Sequence, residues 1–157
     1  MPPASARVRP SAYLGRGLLL VLAGCCAAAA VCWPFAFGFI QGQPVWWLQM
    51  LALVPLCRVL LHCSSAKQAF GWTAVFACAW LAATFWWLYI AMHTYGGLPA
   101  TLTVIAVLAL AALLALYYAA AGSVFWWLAD AKAAQLSLVF AALWTMAEMA
   151  RGTWLTG

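Results

Sequence analysis

Two long stretches without a charged side chain organise this sequence, 41 residues from Gly17 to Cys57 and 62 from Gln68 to Ala129. About 20 helical residues cross the hydrocarbon core of a bilayer, so each stretch is long enough for two helices and a turn. Helix breakers fall where that arrangement needs them. From Trp33 to Pro44 the chain carries two Pro, two Gly and two Gln in twelve residues, which ends one helix near Trp33 and opens the next near Pro44. In the second stretch His93, Thr94, Tyr95, Gly96, Gly97, Leu98 and Pro99 interrupt the apolar run. A further apolar segment follows Asp130 and Lys132. The pattern predicts an all-α integral membrane protein, a bundle of about five transmembrane helices near 17–33, 44–61, 70–92, 99–121 and 133–150. It leaves open whether Ser123 to Leu128 extends the fourth helix or lies along the interface.

Composition strengthens this picture. Of 157 residues, 69% are apolar and 6% charged, against roughly a quarter charged in an ordinary soluble domain. Nine charged side chains, seven basic and two acidic, cannot cover the surface of a soluble globule of this size. The net charge of +5 does not point to nucleic acid, because the basic residues are dispersed rather than clustered on a polar face.

Charge placement predicts orientation. Arg7, Arg9 and Arg16 precede the first helix in a basic tail over 1–16, Arg58 and Lys67 bracket the second connection, and Lys132 lies in the fourth. The first and third connections carry no Lys or Arg. Basic residues stay on the cytoplasmic side, so the expectation is N-terminus inside, in a multi-pass membrane protein. Trp46, Trp47, Trp86, Trp87, Tyr89, Trp126 and Trp127 fall near helix ends, where an aromatic belt belongs.

Leu22, Ala23, Gly24 and Cys25 match the box at which bacterial lipoproteins are lipidated and cleaved. The surroundings argue for a true first span: Cys26 to Trp33 stays apolar, and only about five apolar residues precede the box, fewer than the 7 to 15 of a signal-peptide core. The six cysteines, Cys25, Cys26, Cys32, Cys57, Cys63 and Cys78, form no CxxC pair. His62 beside Cys63 lacks further ligands at zinc spacing. Cysteine here reads as a small hydrophobe, and neither metal, cofactor nor disulfide framework is expected.

Ionisable residues inside a membrane span are functional candidates by default. Trp144, Glu148 and Arg151 share one face at i, i+4 and i+7, so Glu148 and Arg151 can pair near the outer end of the fifth helix. The pair reads equally well as a helix-end anchor or as a polar face lining a site. His93, at the end of the third helix, reads as an interfacial loop residue more readily than as a proton-transfer group. No GxSxG, Walker loop, paired carboxylates or aqueous Ser/His/Asp set is present. The longest polar stretch, His62 to Gln68, is seven residues, too short for a soluble catalytic domain.

Three segments together resemble the apolipoprotein N-acyltransferase family. Phe70-Gly71-Trp72, followed by Trp86-Trp87-Leu88-Tyr89 and the loop Thr94-Tyr95-Gly96-Gly97-Leu98-Pro99, looks like the family's third helix with its aromatic end and FGGMP-like loop. Ala141-Ala142-Leu143-Trp144 through Glu148, Arg151-Gly152 and Thr156-Gly157 is similar to the family's ALWxxxExxRGxxxTG stretch, the most specific of the three. Trp33-Pro34-Phe35 and Val54-Pro55-Leu56 match weaker first-hairpin patterns. The resemblance implies a membrane helix bundle joined to a nitrilase-like α/β domain outside the membrane. There a Cys takes an acyl chain from a membrane phospholipid and passes it to the N-terminal amine of a diacylglyceryl-cysteine lipoprotein, with a Glu as base and a Lys on the oxyanion.

None of those three residues maps onto this chain, so no catalytic residue is expected within it. The sequence stops at Gly157 and reads as cut short before such a domain, by itself inactive. Trp87, Tyr89, His93, Trp144, Glu148 and Arg151 stand as structural or lipid-path candidates. A small five-span transporter or channel subunit is the alternative; against it, few polar groups lie at mid-span, chiefly Gln49, Thr73, Thr84 and Ser137 besides Glu148.

Overall fold

The computed structural model describes residues 10–31, 42–129 and 133–154. Arg7, Arg9, Cys32, most of the 33–44 breaker with its Trp33-Pro34-Phe35 pattern, Asp130, Lys132 and the final Thr156-Gly157 lie outside these residues. Every element among them is helical: α1 Pro10–Val31, α2 Trp46–Leu61, α3 Ala66–Thr84, α4 Trp86–Ile90, a π turn over Ala91–Tyr95, α5 Ala100–Trp127 and α6 Ala133–Trp154. Two helices are long and apolar enough to cross a membrane, Tyr13–Val31 and Ala100–Trp127. The pair Ala66–Thr84 and Trp86–Tyr95, bent by 50°, makes a third if it counts as one span, and Trp46–Leu61 is a shorter apolar helix.

Helix ends differ from the hydropathy reading for local reasons. α1 starts at Pro10 because proline at the first helical position lacks only an amide hydrogen that would be unbonded there anyway. α3 starts at Ala66, where the Ser65 hydroxyl accepts from the Gln68 amide at 3.2 Å and the Gln68 side chain accepts from the Ser64 amide at 2.9 Å, a reciprocal cap. The segment read as one helix over 70–92 is broken at Phe85. The Thr84 hydroxyl donates to the Trp80 carbonyl at 2.8 Å and so intrudes on the backbone ladder one turn before the bend. α5 runs on to Trp127. Ser123 need not end it, since its hydroxyl donates within the helix to Ala119 (3.2 Å) and across to Ala66 (3.3 Å).

α3 is the central element and packs most extensively on α5 and α1; α2 lies against α1, and α6 against α5. α1 and α3 run the same way: Tyr13 stacks on Trp72 at 6.1 Å, and Gly24 lies beside Phe76 and Trp80. α5 runs opposite to α3, with Thr73 against Gly122 and Trp80 against Tyr118 at 5.5 Å. In lipid the helices gain nothing from expelling water, so close backbone approach and dispersion must hold them. Two glycines make that approach: a Cβ on Gly24 would lie 2.6 Å from the Phe76 carbonyl, and one on Gly122 would collide with the Thr73 side chain. Thr73, buried against Gly122, and Thr103, buried in the first turn of α5, send their hydroxyls back to the Ala69 and Pro99 carbonyls, which satisfies both hydroxyls in an apolar setting.

The connections collect at two ends. At one, the Trp126 indole donates to the Cys63 carbonyl at 2.9 Å, and Arg16 and Arg58 line a common cavity. Lys67, in the first turn of α3, belongs to the same end. At the other, the Val45 amide donates to the Ala30 carbonyl at 2.8 Å and ties α2 to the end of α1. Trp46, Trp47, Trp86, Trp87 and Trp127 are all exposed at helix ends.

Candidate functional site

The residues singled out from the sequence fall into two groups. Tyr89 and His93 lie on α4 and the π turn. The Trp86 and Tyr89 rings stack at 4.9 Å, and Tyr89 lies 5.3 Å from His93. His93 Nδ1 donates to the Leu98 carbonyl at 2.7 Å; since a carbonyl only accepts, this nitrogen carries the proton. The Gly96 amide bonds to Ala91 and the Leu98 amide to Met92, and Gly97 takes φ +69°, a left-handed conformation that glycine adopts without strain. His93 thus fastens a tight loop between the π turn and α5. Trp87 is exposed beside this stack.

Trp144, Glu148 and Arg151 form the second group. Arg151 Nη2 donates to Glu148 Oε2 at 2.7 Å, and Arg151 Nε donates both to that oxygen (3.3 Å) and to the Tyr118 hydroxyl (3.0 Å). Tyr118 is fully buried. It sits nine residues from the Trp127 end of α5 and eighteen from the Ala100 end, about 14 Å and 27 Å at 1.5 Å per residue. The ion pair, in the last two turns of α6, is bonded to a tyrosine within the length of α5. Trp144 roofs this contact, 4.8 Å from the Tyr118 ring, 5.8 Å from Trp80 and 5.5 Å from Phe140. The buried Trp80 indole nitrogen has no hydrogen-bond partner, so a donor is already idle in this apolar setting. A salt bridge in lipid needs both charges paired and hydrogen-bonded, and Tyr118 supplies the third member.

Tyr118 and Arg58 did not stand out in the sequence. Tyr118 is hidden in the longest apolar run, where the available signal is the Tyr117-Tyr118 pair of hydroxyls in an otherwise aliphatic stretch. Arg58 counted solely as an orientation charge. Cys63 shows no sign of a nucleophile: burial pushes its thiol above the usual value, with Arg16 opposing only in part, so the reactive thiolate is disfavoured. Its Sγ donates to the Val59 carbonyl at 3.3 Å.

Residues 29–157 match the family model described as the apolipoprotein N-acyltransferase N-terminal domain. The chain belongs to the apolipoprotein N-acyltransferase family. It is 46% identical over 143 residues to the apolipoprotein N-acyltransferase of Verminephrobacter eiseniae, covering 87% of this chain and 25% of that protein. Against the Ralstonia nicotianae apolipoprotein N-acyltransferase the identity is 38% over 117 residues, 71% of this chain and 22% of the relative. The Pseudomonas putida enzyme of the same name is 35% identical over 117 residues, with 72% and 23% covered. The chain therefore spans about a quarter of the length of the curated relatives it matches. Membership of an apolipoprotein N-acyltransferase family, together with the apolar helices, makes this a bacterial membrane protein, and the transporter alternative is not favoured.

Proposed function

We propose that this chain is the N-terminal membrane part of an enzyme that moves an acyl chain from a membrane phospholipid to the N-terminal amine of a diacylglyceryl-cysteine lipoprotein. It crosses the inner membrane five times, N-terminus inside, with α3, α4 and the π turn as one bent span. Its role is that of a scaffold, and the covalent chemistry lies outside residues 1–157. The observation that carries the reading is the family match over 29–157, which takes in Trp144, Glu148 and Arg151 of α6. The gathering of Arg16, Arg58 and Lys67 at one end of the bundle supports the orientation, since basic residues resist translocation.

By this reading Glu148, Arg151 and Tyr118 fix α6 on α5, while the Trp86, Tyr89 and His93 stack holds the outer loop where the bundle meets the aqueous domain of the family. Neither group reacts; both position. A chimera tests the proposal. Replacing the matching first quarter of the Verminephrobacter eiseniae relative with residues 1–157 should retain acyl transfer to a diacylglyceryl-cysteine peptide, whereas purified residues 1–157 alone should show none. An inactive but membrane-inserted chimera, or transfer by residues 1–157 alone, would overturn it.

A further inference from the structure

α6 packs against α5 while α2 packs against α1, and a cleft remains between α2 and α6. It encloses about 520 Å³ and is walled by apolar side chains, among them Leu53, Val54, Phe140 and Trp144. Along α2 the lining runs from Met50 to Leu61 and along α6 from Leu136 to Thr145, roughly 15 Å at 1.5 Å per residue. That is about half the thickness of a bilayer's hydrocarbon core, the depth of a single leaflet.

The polar groups of this cleft are unevenly placed. Thr145, at the deep end, returns its hydroxyl to the Ala141 carbonyl at 2.9 Å and offers no donor. Arg58 stands at the shallow end, near the α2–α3 connection. It also lines an adjoining cavity of about 460 Å³ together with Arg16 and His62. His62 is fixed there by a 2.7 Å bond from its Nδ1 to the Arg58 carbonyl. The chain has two acidic residues; Glu148 is paired with Arg151, and Asp130 lies outside the described residues. Among the described residues, no carboxylate lines either cavity.

From this geometry we propose that the α2–α6 cleft binds one anionic phospholipid of the cytoplasmic leaflet, with its phosphate on Arg58 and Arg16 and one acyl chain along the cleft. Two cations beside an apolar slot one leaflet deep match such a molecule at both ends. A helix would satisfy the slot but not the arginines, and a soluble anion would satisfy the arginines but leave the slot empty. Basic pockets between helices on the cytoplasmic side recognise lipid head groups by this combination. The site lies on a different face from the Trp86, Tyr89 and His93 stack, and binding is read without acyl transfer, so its outcome is separate from that of the acyltransferase reading.

Native mass spectrometry of the whole chain, released from micelles holding equal phosphatidylglycerol and phosphatidylethanolamine, tests this. Phosphatidylglycerol should be retained preferentially as one adduct, and Arg58→Gln or Arg16→Gln should each lower that preference about fivefold, the factor expected for one basic side chain at an anionic surface. Lys67→Gln, which removes a charge from the same end but outside the cleft, should leave it unchanged. Ser137→Trp, or Val54→Phe should the first fail to fold, should block the slot and release the lipid while helix content by circular dichroism is kept. Equal retention of the two lipids, an equal effect of Lys67→Gln, an unaffected adduct in a folded slot-filling variant, or a lipid-free dimer would each overturn the proposal.

Discussion

At the scale of single residues, the contact among Tyr118, Glu148 and Arg151 shows how little polar chemistry this molecule tolerates without compensation. The spacing of Glu148 and Arg151 on α6 was legible in the sequence, because i and i+3 share a face whatever the helix packs against. Their third partner was not, since Tyr118 is 33 residues away in the chain and only the docking of α6 on α5 brings it near. Glu148→Gln should remove the carboxylate facing Arg151 and destabilise the chain by about 1–3 kcal/mol. This is less than the loss from a fully buried pair, because the two side chains keep 22% and 33% exposure. Tyr118→Phe should cost only about 1 kcal/mol, the net worth of one hydrogen bond. Adding Arg151→Met to Glu148→Gln should recover part of the loss. Denaturant titration in mixed micelles followed by helix content gives the order of stabilities; a double variant no better than Glu148→Gln would mean that pairing is not what matters here.

Individual elements were readable where the signal is local and misread where a side chain acts on the backbone. The helices themselves follow from long apolar runs bounded by breakers, and α2 from Trp46 to Leu61 falls within the stretch expected for it. The break at Phe85 carries no proline or glycine to announce it. It comes with Thr84 bonding back to Trp80, a choice that a serine or threonine in any apolar helix can make or decline. In the π turn after it, His93 bonds across to the Leu98 carbonyl. His93→Phe keeps an aromatic ring against Tyr89 but removes the donor to Leu98. Backbone amides of residues 94–98 should then exchange hydrogen about fivefold faster, as loss of roughly 1 kcal/mol of local stability implies, while α5 keeps its protection. Unchanged exchange in the loop would show that Gly96 and Gly97 hold it without the histidine.

For the whole molecule the governing feature is polarity along the bundle axis. Arg16, Arg58 and Lys67 come from three different helices or their flanks, and the antiparallel course of the chain brings them to one end. If five crossings start from an inside N-terminus, a reporter domain fused after Ser64 should remain cytoplasmic and one fused after Gly97 should be exported. Alkaline phosphatase activity in intact cells distinguishes the two, and export of the Ser64 fusion would reverse the orientation. The same arrangement sets the two arginines beside the α2–α6 cleft, which neither helix predicts alone.

Taken by itself, the sequence determined that this chain is helical and apolar enough for a membrane, and it carried the ALWxxxExxRG pattern of its family. Hydropathy and helical spacing are sums over neighbours in the chain, so they survive without any knowledge of packing. Only the tertiary structure decided that Gly24 and Gly122 are points of close helix approach, that Tyr118 completes the Glu148 and Arg151 pair, and that Arg58 and Arg16 face one cavity. Those facts depend on rotation and depth of one helix relative to another. In lipid, where every helix face is apolar, the position of the apolar residues says almost nothing about either.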